Sequence, residues 1–310
     1  MKTVVITGSR GYLGRSLIDY YLREGCRVFA LTSSFDKLEK DDLAKKNLHY
    51  LDIKEDITSL KLAIPGPIDG FFHFGWAGVR KEKRRDYKIQ ISNLEICEKM
   101  IVLASKLEAR RFIFPGSISE YLLTKGSSKL FGKPSPQDAY GVAKVAARFL
   151  VQNLCEGHCL PYNYVLLTSL YSPERRDNNV ITYVIKSLLR GESPKLSCSR
   201  QLWNFLNIQD AVAGMDAIIN YGKPNEEYEL GGQENLPLKD FLTIIQSKID
   251  PTIPLGFGEI QDIVPDIDGS VNLAKLKKDT RFSPRITFEV GIDDMIDQFK
   301  AFSTSSRENN

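Results

Sequence analysis

Tyr140 and Lys144 stand four residues apart in the run YGVAK, so on a helix both side chains leave one face. An ammonium beside a phenol stabilises the phenolate and lowers a pKa that begins near ~10, which makes the tyrosine an acid or base at neutral pH. Ser117 ends the apolar run RFIFPGS, earlier in the chain. At the C-terminal end of a strand in an open α/β sheet, it stands where such sheets bind ligands, and its hydroxyl suits the holding of a reacting oxygen. Together the three residues fit proton exchange at a carbon bearing a hydroxyl or keto group while a hydride moves.

A hydride needs a carrier, and the N-terminus provides a seat for one. Gly8, Gly11 and Gly14 of TGSRGYLG follow an apolar run and open an amphipathic stretch. Glycine serves there for the tight turn, for backbone approach to a pyrophosphate and for helix–strand packing, while the helix N-terminus offers free N–H groups. The candidate cradle is Gly8, Ser9, Arg10, Gly11, Tyr12, Leu13 and Gly14. An acid at the end of the second strand would favour NAD, but that strand ends Leu31-Thr32-Ser33-Ser34, with no acid before Asp36. Arg10, with Ser33 or Ser34, suits a 2′-phosphate, so NADP(H) is expected over NAD(H).

The elements that must position these groups follow from periodicity. Short β-branched runs at Thr3 to Thr7, Arg27 to Leu31, Leu48 to Leu51, Gly70 to Phe74, Arg111 to Pro115 and Asn163 to Leu167 read as strands. Helical patterns lie between them: one ended by Gly25, one from about Arg85 to Ser105 and one from about Asp138 to Leu154. The repeated βα unit predicts an α/β chain with a Rossmann doubly wound parallel sheet and a smaller, discontinuous α+β lobe. The expected division is 1–170 with about 204–231 for the first, about 171–203 with 232–300 for the second, and a mobile tail at 301–310.

Composition narrows the class. With 42% hydrophobic and 26% charged residues the chain is globular, and 42 basic against 39 acidic residues point away from nucleic acid. The densest basic run, Arg80, Lys81, Lys83, Arg84 and Arg85, reads as a solvated surface. Five scattered cysteines without a CxxC pair indicate a reducing compartment, and the absence of ~18 consecutive apolar residues argues against a membrane span, so a cytoplasmic location is expected. Three histidines without HExxH spacing give no metal site, and no GxSxG elbow marks a hydrolase.

On these motifs the sequence resembles the extended short-chain dehydrogenase/reductase family, in its group of NAD(P)-dependent nucleotide-sugar epimerases, dehydratases and 4-ketoreductases. The resemblance runs to about Phe299 and is strengthened by GSxxEY at Gly116 to Tyr121, WAG at Trp76 to Gly78 and QxWNF at Gln201 to Phe205. It implies that Ser117, Tyr140 and Lys144 are the catalytic trio and that Asp52 and Ile53 meet adenine. It likewise places Phe74, Gly75 and Trp76 along the cofactor, Asn93 in a structural role, and Tyr171 beside the nicotinamide with Ser172 and Pro173. Asn179 and Val180 would contact the nucleotide sugar, with Ser117 and Ser119 at the sugar. Trp203 stands where many members carry an arginine for the diphosphate, which leaves Arg175, Arg176 and Arg200 as candidates. Trp76 and Trp203 suit core packing equally well, and Asp52 also suits a capping role.

Family dehydratases carry an Asp-Glu pair after the catalytic hydroxyl residue; Ile118 and Ser119 stand there, so elimination of water is not expected. The resemblance and the NADP preference together lead to a nucleotide-sugar 4-ketoreductase of deoxysugar or surface-polysaccharide biosynthesis, with a nucleotide-diphosphate sugar as substrate and a homodimer as the assembly. A 4-epimerase using the same residues and a non-catalytic dinucleotide sensor are the alternatives.

Overall fold

The computed structural model describes residues 1–35, 38, 45–118, 120, 139–174, 179–261 and 268–308, apart from the side chains of Lys81 and of 302–308. Two compact units divide the chain. The first holds Met1–Leu167, Val212–Glu229 and Leu273–Phe282; the second holds Thr168–Ala211, Leu230–Asn272 and Ser283–Asn310.

In the first unit, β1 (Thr3–Thr7), β2 (Arg27–Thr32), β3 (Leu48–Asp52), β4 (Gly70–His73), β5 (Phe112–Ser117), β6 (Tyr162–Leu167) and β10 (Glu226–Leu230) form a seven-stranded sheet. Its order is β10-β6-β5-β4-β1-β2-β3, with parallel pairing from β3 across to β6. Strand order reverses between β1 and β4, which sit in register from Val4↔Gly70 to Thr7↔His73. At such a switch point the connections leave on opposite faces and open a crevice at the C-terminal strand ends. Residues such as Val5, Phe71, Phe112 and Phe114 are fully buried because helices cover them.

The covering helices begin where the sequence supplies caps. The Asp56 side chain accepts from Thr58 N and Ser59 N to start α2 (Ile57–Ala63), and that of Asp86 accepts from Lys88 N and Ile89 N to start α3 (Tyr87–Lys106). α1 (Tyr12–Arg23) differs, for Gly11 caps it with no side-chain hydrogen bond. α3 packs against α4 (Ala139–Gly157), burying Met100 and Ile101 with Ala147 and Val151.

In the second unit, β7 (Ser169–Tyr171), β9 (Leu202–Asn207) and β11 (Asn235–Pro237) make a three-stranded sheet, and β8 (Lys195–Leu196) pairs with β12 (Gly256–Phe257). Helices α5 (Val180–Leu189), α7 (Leu238–Ile249) and α9 (Phe288–Glu308) gather around a core containing Phe205, Phe241 and Phe288. The rings of Phe241 and Phe288 meet edge to face at 4.8 Å.

Three boundaries differ from the sequence expectation. Residues 204–211 join the second unit because β9 pairs with β7 and β11 and not with the large sheet. The segment bearing α8 (Ala274–Thr280) joins the first unit, where the Tyr228 hydroxyl donates to Asp279 and Lys275 pairs with Glu226. The expected tail from 301 is helical through Glu308: Phe288, Ile292, Met295, Ile296 and Phe299 anchor α9, and extending an anchored helix is far easier than nucleating one.

Candidate active site

The glycine turn lies over the end of β1, against the segment that follows β4. Gly8 has φ +68, and a Cβ there would stand 2.7 Å from Gly75 N and from the Phe74 carbonyl carbon. A Cβ on Gly14 would stand 2.3 Å from Gly8 O. The turn closes through Gly11 N donating to Gly8 O at 2.8 Å. Ser9 is fully buried and its hydroxyl donates to Leu31 O, tying the turn to β2, while Arg10, Tyr12 and Leu13 are half-buried. α1 therefore begins at Gly11 without a side-chain cap, in a turn where Gly8 and Gly14 leave no room for a Cβ, and those residues fit a dinucleotide pyrophosphate.

At the neighbouring strand ends Thr32 is buried and its Oγ1 accepts from Ser34 N, while Ser33 is exposed. Asp52 is half-buried and accepts from Lys54 N at 3.0 Å, the capping alternative. Ile53 packs in the core, its N–H donating to Thr32 O and its carbonyl accepting from Lys99.

The segment Phe74-Gly75-Trp76 links this cradle to Tyr140 and Lys144. Gly75 N donates to Thr7 Oγ1 at 2.9 Å, and the Trp76 ring meets the Tyr140 ring edge to face at 6.4 Å. The indole is fixed from behind by Gln90, which accepts from Nε1 at 2.8 Å, and Asn93 brackets Ala77 through both its N–H and its carbonyl. Over the other part of Trp76 lies the Lys144 ammonium, 4.4 Å from the ring centroid and 4.2 Å from that of Phe114. Lys144 Nζ donates to Pro115 O at 2.6 Å and only 4% of the residue is exposed. Its pKa is pulled down to about 8 by burial, against the opposing influence of Glu120.

Ser117 ends β5, and its N–H donates to the Glu120 carboxylate at 2.7 Å. Thus Ser117, Tyr140 and Lys144 are gathered at one end of the sheet, with Tyr140 and Lys144 joined through Trp76. The Lys144 ammonium points toward Pro115 O, between two aromatic faces. Arg84, read from the sequence as part of a solvated run, places its guanidinium 4.1 Å from the centroid of the Tyr140 ring.

The second unit contains its own cavity of about 560 Å³. Lys186, Arg190 and Lys195 bring cations to it, Val180, Leu196 and Leu238 bring apolar surface, and Asn179 lines it while its Oδ1 accepts from Thr182 N to cap α5. Arg190 is held by Glu192 at 2.7 Å. Trp203 lines a smaller adjoining cavity with Asn179 and Val180, its Nε1 donating to Ser169. Arg200 is exposed and is not among the residues that line the cavity. The Tyr171 side chain is 1% exposed and packed on Phe205 and Phe288, and its hydroxyl donates to Thr287 O. Ser119, Arg175 and Arg176 lie outside the described residues.

Sequence reasoning missed Glu120, Arg84, Lys186 and Lys195. Glu120 stood inside the GSxxEY run without an assigned role, and Lys186 sits one turn beyond Thr182, the residue whose N–H the Asn179 cap satisfies, on an amphipathic helix. Nothing in linear spacing joins Lys186 to Lys195, because β8 returns to α5 only through the fold.

One substitution tests the cradle. An alanine at Gly8 takes on a left-handed φ, costing about 1–2 kcal/mol, and collides with the backbone after β4. Gly8→Ala is expected to lower the unfolding midpoint and to weaken NAD(P)(H) binding at least ~10-fold, read by thermal melts and binding titration; unchanged affinity contradicts the cradle.

Comparison with known proteins gives the lineage. A model of the NAD dependent epimerase/dehydratase family matches residues 4–231. CDP-abequose synthase of Salmonella typhimurium is 23% identical over 94% of this chain and 97% of its own length. UDP-N-acetyl-alpha-D-glucosaminuronate decarboxylase of Bacillus cytotoxicus is 22% identical over 96% and 98%. Among solved structures, a variant of UDP-glucuronic acid 4-epimerase from Bacillus cereus, in complex with UDP-4-deoxy-4-fluoro-glucuronic acid and NAD, covers 97% of this chain and 99% of its own at a TM-score of 0.79 and 16% identity. UDP-glucose 4-epimerase of Thermotoga maritima with UDP-glucose matches with the same coverage and TM-score at 14% identity. Since the family match runs through the glycine turn and the Ser117, Tyr140 and Lys144 cluster alike, the chain belongs to the NAD-dependent epimerase/dehydratase family of extended short-chain dehydrogenases/reductases.

Proposed function

We propose that the protein is a nucleotide-sugar 4-ketoreductase that prefers NADP(H). The observation that carries this reading is the end of β2, where Thr32, Ser33, Ser34 and Phe35 include no acid and Arg10 stands in the glycine turn. A carboxylate there would repel a 2′-phosphate, whereas a guanidinium pairs with it. A reductase exchanges spent cofactor at each turnover, while an epimerase takes its hydride back, so a seat suited to the reducing pool favours net reduction.

A bound nicotinamide supplies the hydride. Tyr140 gives its phenolic proton to the oxygen of the C4 carbonyl, and the Ser117 hydroxyl donates a hydrogen bond to that oxygen. The charge left on the phenol is stabilised by Lys144 along the same helix face and by Arg84 over the ring. The second unit's cavity, with the cations Lys186 and Lys195 and the apolar wall of Val180, Leu196 and Leu238, has the chemistry that a nucleoside diphosphate would take. Ile118 follows Ser117 where an acid would serve dehydration, which disfavours that reaction despite the dTDP-glucose 4,6-dehydratases among the relatives. A 4-epimerase is the second reading, favoured by the solved 4-epimerases whose complexes hold NAD and UDP-sugars.

The protein, supplied with a nucleotide-4-ketosugar, is expected to consume NADPH stoichiometrically and faster than NADH, and Tyr140→Phe is expected to lower kcat about 10²–10⁴-fold. Isomerisation of a nucleotide sugar without net NADPH consumption selects the epimerase. An activity undiminished in Tyr140→Phe removes the mechanism, and no turnover on any nucleotide sugar leaves the dinucleotide sensor.

A homodimer through α3 and α4 is proposed on the exposed apolar side chains Tyr87, Ile91, Val142 and Phe149. Wild-type protein is expected to sediment as a dimer and Phe149→Arg as a monomer; a monomeric wild type contradicts it.

A further inference from the structure

Glu120 is 2% exposed, and each of its carboxylate oxygens has a partner. Oε1 accepts from Ser117 N at 2.7 Å, and Oε2 accepts from the hydroxyl of Tyr164 on β6. The Tyr164 ring lies 5.8 Å from that of Phe114, the same ring whose face carries the Lys144 ammonium. Beyond Tyr164, Arg148 sets its guanidinium 5.5 Å from the ring centroid and pairs with Glu227. The buried carboxylate thus holds the cage of the buried ammonium at two points: one oxygen binds Ser117 N, two residues from the Pro115 carbonyl that accepts from Lys144, and the other binds the tyrosine that packs on Phe114.

We propose that Glu120 is a positioning residue, which keeps Lys144 in its charged form and fixes the Ser117 main chain, so that one buried carboxylate sets both the cation and the hydroxyl of the reacting cluster. This rests on the proposed roles of Ser117, Tyr140 and Lys144.

The surroundings leave Glu120 as the countercharge. Facing Lys144 are Cys97 of α3, His73 of β4, Tyr140 of its own helix and Glu120. Burial pushes the Cys97 thiol up to about 12 and the His73 imidazole down to about 3, so both are neutral across the working range. Facing Glu120 are Lys144 and Arg148 of α4, the Tyr164 hydroxyl and the Ser117 N–H. Burial raises the carboxyl, and these four partners oppose the rise; Tyr164, pushed well above its ordinary value by burial, remains a neutral donor.

A stability measurement tests this without any assumption about activity. The Lys144 pKa falls on folding from 10.5 to about 8. Between those values the unfolded chain binds more protons, so the contribution of Lys144 to stability rises with pH across that window. Glu120→Gln retains an acceptor for Ser117 N and removes the charge, which lowers the folded pKa of Lys144 further. In the full chain, the deficit in melting temperature of Glu120→Gln against wild type is therefore expected to be large at about pH 7 and to narrow by about pH 9.5. A purely structural role gives a deficit independent of pH, and that result overturns the proposal.

If Glu120→Gln does not fold, Tyr164→Phe decides. It removes a hydrogen bond to the ionised carboxylate and keeps the charge, raising the folded pKa of Glu120, so its deficit should grow as pH rises from about 5 to about 8. A constant deficit overturns the proposal. On the turnover of a nucleotide-4-ketosugar, the alkaline limb of kcat in Glu120→Gln is expected to move down by about one pH unit or more, with KM within ~2-fold of wild type. A melting curve that behaves as expected in a chain without turnover retains the Glu120 coupling and rejects the reductase reading; an unmoved kcat limb beside a constant deficit does the reverse.

Discussion

The active end of this molecule depends on a desolvated ammonium. Taking a lysine head group out of water costs several kcal/mol unless hydrogen bonds and opposite charge replace the lost hydration. Lys144 meets that requirement with the Pro115 carbonyl, the faces of Trp76 and Phe114, and the influence of Glu120. These partners come from three pieces of chain: Pro115 and Phe114 from β5, Trp76 from the segment after β4, and Glu120 from beyond Ser117. The ammonium therefore fixes the relative placement of those pieces, and Tyr140 inherits its position from the same helix and the same indole.

A second constraint is the switch in strand order between β1 and β4. It brings Gly8 against Gly75 so closely that a Cβ on Gly8 would collide with the Phe74 and Gly75 backbone, and Thr7 joins the two strand ends by accepting from Gly75 N. The cradle and the reacting cluster are thus two ends of one short segment, Phe74 to Trp76. The glycine turn is held relative to Trp76 by packing of backbone on backbone.

Much of this was legible in the sequence because it is local. The glycine turn, the four-residue spacing of Tyr140 and Lys144 and the strand ending at Ser117 each follow from periodicity within one element, and the observed strands deviate from the expected ones by only a residue or two. What failed was non-local. The ring of Tyr171, a residue placed beside the nicotinamide by resemblance, packs on Phe205 and Phe288, contacts that linear order does not show. Arg84 was placed among solvated charges, since a guanidinium stacked on a tyrosine in another helix leaves no trace in linear order. Glu120 stood in a quoted motif, yet its partners Tyr164, Lys144 and Arg148 are distant in sequence and meet only when β5 and β6 pair.

The most direct test of the account is the charge on Lys144 itself. Protein labelled with ¹⁵N-lysine, with the Lys144 side-chain signal identified by its loss in Lys144→Met, can be titrated by NMR from about pH 6 to about pH 11. A midpoint near 8 is expected, because burial works against a partly compensating countercharge. A side chain that stays protonated to its ordinary 10.5 shows a solvated ammonium free of the aromatic and carbonyl cage, and contradicts the arrangement on which the cluster is built.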